Sequence, residues 1–106
     1  MINSNAKGKR RERELAAILR DNGYSARRSQ QYNGQAGDAD LVGLEGIHVE
    51  VKAVEKLNIQ LAMEQAERDR QITAIPTVFH KRNGKPWLVT MTLDDWLEFY
   101  ERWLME

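Results

Sequence analysis

The chain has no cysteine, no net charge and no long apolar run, and each absence narrows its chemistry. Without cysteine among its 106 residues it can form neither disulfides nor thiolate metal sites. No apolar run approaches the ~20 residues of a membrane-spanning helix, so no membrane partner is expected. The opening stretch, MINSNAKGKRRERE, has no apolar segment after its basic residues and does not read as a secretory signal. Internal repeats, low-complexity segments and linkers are missing too. What remains is 42% hydrophobic and 30% charged, the composition of a globular protein rather than a disordered one. The length suits one domain, 1–106, with 1–7 expected to be a flexible N-terminus.

Sixteen basic and sixteen acidic residues cancel, which by itself speaks against a surface for nucleic acid. Their distribution speaks for one. Between Lys7 and Arg28 lie eight basic residues and three acidic ones, whereas Asp94 to Glu106 carries five acidic residues and only Arg102. A basic end opposite an acidic end is the feature that matters for partners.

The pattern is helical from about Lys9, where Leu15, Ile18 and Leu19 recur at helical spacing. Asn22-Gly23 ends that helix. Tyr24 to Ser29 reads as a short strand, and the polar stretch 29–37 as a loop. Ala39 to Leu44 and Ile47 to Ala53 read as strands joined by a turn at Glu45-Gly46. The second alternates, with Ile47, Val49, Val51 and Ala53 on one face and His48, Glu50 and Lys52 on the other. A helix from about Asn58 to Gln71 follows, with Asn58 as N-cap and Ile59, Met63 and Ala66 as its apolar stripe. Pro76 opens a strand over Thr77–Lys81. Asn83-Gly84 is a hairpin turn signal, and Trp87–Met91 is the returning strand. Thr92 and Asp95 suggest a capping box for a last helix with Leu93, Trp96, Leu97, Tyr100 and Leu104 on one face. The order predicts an α/β fold, a mixed sheet with helices packed on it.

Chemistry concentrates in GDADLVGLEGIHVEVKA. Glu50 and Lys52 lie two apart on one strand and share a face. Asp40 and Glu50 each stand about five positions from the Glu45-Gly46 turn, so pairing of the two strands sets them nearly opposite. Two carboxylates so placed repel unless a cation lies between them. A divalent ion with oxygen ligands fits, since Mg²⁺ commonly takes one or two carboxylates plus substrate phosphate. Lys52 can then orient an attacking water or stabilise charge on phosphate. A Glu-x-Lys pair alone is usually a solvated surface feature; Asp40, the apolar opposite face and the basic N-terminal segment favour the functional reading. Asp38 remains a rival to Asp40.

Gly37-Asp38-Ala39-Asp40-Leu41 followed by Glu50-Val51-Lys52 resembles the PD-(D/E)xK nuclease signature, without its proline. Lys7 to Leu15, then Asp21-Asn22-Gly23-Tyr24 to Arg27-Arg28-Ser29, is similar to the opening of archaeal-type Holliday junction resolvases. The likeness is good over residues 7–56 and looser beyond, where phage-type resolvases are closer. It implies a restriction-endonuclease-like mixed β-sheet flanked by α-helices. It also implies a Mg²⁺-dependent endodeoxyribonuclease, with Mn²⁺ as a substitute metal. Asp40, Glu50, the Val51 carbonyl and Glu12, with Glu14 as a rival to Glu12, would bind metal. Lys52 would assist the chemistry, and Gln65 would stand at the glutamine that follows Glu-x-Lys. Arg10, Arg11, Arg27 and Arg28 would contact DNA, arginine being well suited to phosphate. Branched DNA is the implied substrate and a homodimer the implied assembly, since resolving a four-way junction takes two symmetric cuts. The implied setting is intracellular, the cytoplasm of a bacterial cell, or a phage or prophage product.

Other functions compete: a general phage endonuclease acting on forks, flaps or duplex, a non-catalytic DNA-binding module, or a partner-binding protein using its acidic last helix. His48 is read as a surface histidine and His80 as structural. Trp87, Trp96 and Trp103 are read first as packing residues, and Lys81, Arg82 and Lys85 as a solvated cluster.

Overall fold

In the computed structural model, residues 4–29 and 39–106 are described, without the side chains of Ser4 and Asn5. The elements follow the order α1 (Ser4–Asp21), β1 (Arg27–Arg28), β2 (Leu41–Val42), β3 (Ile47–Lys52), α2 (Ile59–Asp69), β4 (Ile75–His80), β5 (Leu88–Thr90) and α3 (Leu93–Met105). Helix α1 starts earlier than the periodicity suggests, because its first turns carry no apolar residue larger than Ala6 for a pattern to detect. Most of the polar stretch 29–37, together with Asp38, lies outside the described residues. No described helix is long and apolar enough to cross a membrane.

One sheet runs β1-β2-β3-β4-β5. Only β3 and β4 are parallel, joined through α2 in the crossover a parallel pair requires; the other pairs are antiparallel. The odd residues of β3 face α1, where Leu15, Ala16, Leu41, Val49 and Val51 form a core edged by Phe79 and Trp87. The other face lies under α2, whose Ala62 and Ala66 pack with Val78. Small residues on α2 let the helix approach the sheet closely. Asn58 caps α2 as expected, accepting from the Leu61 N–H at 3.1 Å, and Thr92 caps α3, accepting from the Asp95 N–H.

Among the described glycines, Gly43 is the one with backbone against the place of a Cβ. Its φ is +102°, and a Cβ there would collide with the Ser25 carbonyl as the chain after α1 passes beside β2.

Three expectations change. The even face of β3 is covered, not solvated: Glu50 and His48 are only 2% and 4% exposed. The reason is that β3 is the central strand, with β2 on one side, β4 on the other and a helix on each face. Helix α3 is not part of the core, and none of its residues is buried. Trp96 and Trp103 are accordingly exposed, whereas Trp87 is half-buried against the α1 core and fits the packing role.

Candidate active site

The register of β2 against β3 builds the centre of the site. Leu41 pairs with Val49, so one residue further out Asp40 stands opposite Glu50. The Asp40 N–H donates to the Val49 carbonyl at 2.8 Å. Its side chain folds back, and Oδ2 accepts the Val51 N–H at 2.7 Å. Glu50 Oε1 lies 2.7 Å from His48 Nε2. Two residues on, Lys52 Nζ donates to Gln65 Oε1 of α2 at 2.9 Å. Strand alternation thus places Glu50 and Lys52, and helix α2 brings Gln65 over the strand.

Burial pushes the Asp40 carboxyl up to about 7. The Val51 N–H opposes that rise, the negative charges of Glu50 and Glu12 add to it, and the Lys52 charge opposes it. The first helix reaches this neighbourhood through β1, where Arg28 pairs with Leu41 and the Ser29 N–H donates to the Asp40 carbonyl at 3.0 Å. Glu12 itself accepts from Arg28 Nε at 2.9 Å, tying α1 to β1. Glu14 points elsewhere: it accepts from Arg11 at 2.7 Å and from Trp87 Nε1 at 3.1 Å. Burial raises its pKa, but those two bonds and the charges of Arg11 and Lys81 outweigh burial and hold it below the ordinary carboxylate value.

These residues fit a divalent cation. Asp40 and Glu50 offer hard oxygen donors, and a cation would offset the burial and the neighbouring negative charge that favour a proton on Asp40. Asp40 and Glu50 are the residues that would hold the cation. Among the described residues, no three acidic or imidazole side chains converge to enclose an ion.

The four arginines separate. Arg10 and Arg27 are exposed, and Arg27, Arg28, Ser29 and Val42 line a cavity of about 460 Å³; Ser29 is the residue whose N–H donates to the Asp40 carbonyl. Arg28 is shared with Glu12. Arg11 is turned inward, held by Glu14 and by Asn83 of the β4–β5 hairpin. Asp38 lies outside the described residues.

A model of the archaeal Holliday junction resolvase (hjc) family matches residues 3–102. The chain belongs to this family. It is therefore a nuclease of the junction-resolving class. The family's fold is also found in the solved structures: the 1.6 Å structure of Archaeoglobus fulgidus Hjc, a Holliday junction resolvase from an archaeal hyperthermophile, matches with a TM-score of 0.55. The two share 23% identity over 80% of this chain and 72% of that one, a likeness that concerns the fold. No curated protein matches this chain.

The residue that sequence reasoning undervalued in this resolvase is His48. Alternation placed it on the face of Glu50, but a face assumed to be wet made it look like a surface side chain. The β3–α2–β4 crossover was the signal for burial, since parallel strands are normally covered on both faces.

Proposed function

We propose that this resolvase cuts branched DNA by metal-assisted phosphodiester hydrolysis at a PD-(D/E)xK-type centre formed by Asp40, Glu50 and Lys52. One observation carries the reading: Asp40 and Glu50 stand opposite each other on paired strands, and Lys52 follows on the same face with its ammonium held by Gln65. Asp40 and Glu50, with the Val51 carbonyl, would hold Mg²⁺ or Mn²⁺, which when bound activates water and neutralises charge on the scissile phosphate. Lys52 keeps a positive charge at the phosphate and stabilises the negative charge that builds on its oxygens. Gln65 leaves that ammonium two further donors and fixes its direction. Glu12 adds a carboxylate at the edge of the centre, where Arg28 keeps it in place. Arg10 and Arg27 contact the DNA backbone through their exposed guanidinium groups.

The substrate we assign is the four-way junction, and the assembly a two-fold dimer, since a junction is resolved by paired cuts. Helix α3 supplies a surface for it. Trp96, Tyr100 and Trp103 stack along one side with centroids 5.1 and 5.8 Å apart, and all three are exposed. So many uncovered aromatics exceed what a monomer's surface normally carries.

The deciding experiment is Mg²⁺-dependent cleavage of a four-way junction, a fork and a linear duplex of matched sequence, with Glu50→Gln as the control. Selective cutting of the junction that Glu50→Gln abolishes supports the proposal. Equal cutting of all three would make this a general endonuclease, and cutting undiminished in Glu50→Gln would remove Glu50 from the centre.

A further inference from the structure

Glu50 is almost fully buried, and so is the side chain it touches. His48 lies two residues earlier on β3, and its Nε2 sits 2.7 Å from Glu50 Oε1. Few carboxylates in a small domain are enclosed to this degree, and an enclosed carboxylate is costly unless donors meet it. An ionised carboxylate only accepts hydrogen bonds. When Glu50 is ionised, as a metal ligand must be, His48 Nε2–H is therefore the donor.

We propose that His48 is a positioning residue for Glu50: its bond to Oε1 fixes the carboxylate in the orientation in which it shares a cation with Asp40. This rests on the reading of Glu50 as a metal ligand. The placement of His48 supports the role. The strand alternation that puts Glu50 in the site also puts His48 on its face. The backbone around His48 is held by β2 on one side and by β4 on the other, where it pairs with Pro76. An imidazole held in a rigid central strand has little freedom to swing away, and the bond it makes removes freedom from Glu50 in turn. Hydrogen-bond partners of metal-ligating carboxylates act in this way, and losing one typically weakens metal binding about 10- to 100-fold.

The test is calorimetric titration of Mn²⁺ into the protein without DNA, so that the readout is metal affinity and not turnover. His48→Leu removes the donor at similar volume and is expected to weaken Mn²⁺ binding about 10- to 100-fold. His48→Gln carries an amide nitrogen that reaches the place of Nε2 and is expected to restore most of the affinity. His48→Asn is polar but too short to reach Glu50, and is expected to bind as weakly as His48→Leu. The Gln and Asn variants decide the question even if His48→Leu fails to fold, because both are polar and differ in reach. Equal affinity in these two, or wild-type affinity in His48→Leu, overturns the role of His48. Tighter binding in His48→Leu would overturn it too, marking the histidine as a competitor for the carboxylate. Wild-type Mn²⁺ affinity in Glu50→Gln would instead overturn the metal reading beneath it, so the two failures are separable.

Discussion

The Lys52 ammonium reaches Gln65 Oε1 across 2.9 Å, so the ammonium on β3 is aimed by a helix on the other side of the β3–α2 connection. If this bond orients the ammonium, its loss should reduce the rate while leaving the charge in place. Gln65→Ala is expected to slow single-turnover junction cleavage about 10- to 100-fold with little change in junction affinity, the range that a small misplacement of a catalytic group can cost. Lys52→Ala should cost more. A Gln65→Ala rate equal to wild type would leave Lys52 correctly placed without it.

Asp40 makes stability depend on pH. Its carboxyl is pushed up to about 7 in the fold from an ordinary 3.8, so the folded protein holds a proton that the unfolded chain has already released. Folding then takes up a proton, and the metal-free protein should lose stability as pH rises from about 4 to about 7, levelling off above. A cation that displaces this proton should stabilise more at pH 8 than at pH 5, because at the lower pH it must first expel the proton. Thermal unfolding at the two pH values, with and without Mg²⁺, measures this. Asp40→Asn should flatten the metal-free profile, and equal Mg²⁺ shifts at both pH values would contradict the argument.

Gly43 and Gly46 both have positive φ, but only Gly43 has backbone against its missing Cβ. Gly46→Ala should cost about 1–2 kcal/mol, the price of a left-handed alanine. Gly43→Ala should cost on the order of 3 kcal/mol, adding backbone displacement to that strain. Urea unfolding of the two variants compares them directly, and equal losses would show that the chain at Ser25 yields freely.

The order of all eight elements was legible in the sequence because each carries a local signal: alternation in β3, the Asn58 and Thr92 caps, and glycines at the turns. The pairing of Asp40 with Glu50 was legible for the same reason, since a short connection at Glu45-Gly46 sets the register of the strands it joins. What stayed hidden depends on non-local packing. Period-two alternation tells which residues share a face of β3 but not what lies over it, so Glu50 and His48 read as solvent-facing while α2 covers them. Likewise the apolar stripe of α3 has the same periodicity whether it meets its own core or faces outward. Arg11 belongs in this group as well: a basic residue in a basic helix gives no sign that Glu14 and a distant hairpin hold it.

That difference among arginines can be measured. Arg27 is exposed and lines a surface cavity, whereas Arg11 is half-buried. Arg27→Ala should weaken junction binding and lower the slope of log affinity against log salt by about 1, as one phosphate contact is lost. Arg11→Ala should leave the slope unchanged and lower stability, through loss of its bonds to Glu14 and Asn83. Titrations of labelled junction across a salt series separate the two, and an unaltered slope for Arg27→Ala would place the phosphate path elsewhere.

Helix α3 makes the case for assembly testable at single residues. Trp103 is 66% exposed, and its ring continues the stack of Trp96 and Tyr100 rather than meeting the sheet. If a second copy covers this side, a charge placed there should break the pair without disturbing the core, because no α3 residue is buried in the single chain. Trp103→Glu is expected to turn a dimer into a monomer by light scattering while leaving the thermal transition of the monomer cooperative. The aspartates and glutamates already on α3 should sharpen the effect, as the new carboxylate adds to like charges at Glu98 and Glu101. Paired cutting should suffer with it: a monomer has one centre, so it should nick a junction without resolving it in a single binding event. A Trp103→Glu protein that remains dimeric would move the interface off α3, and a wild-type chain that is monomeric at assay concentration yet resolves junctions would separate the chemistry from assembly altogether.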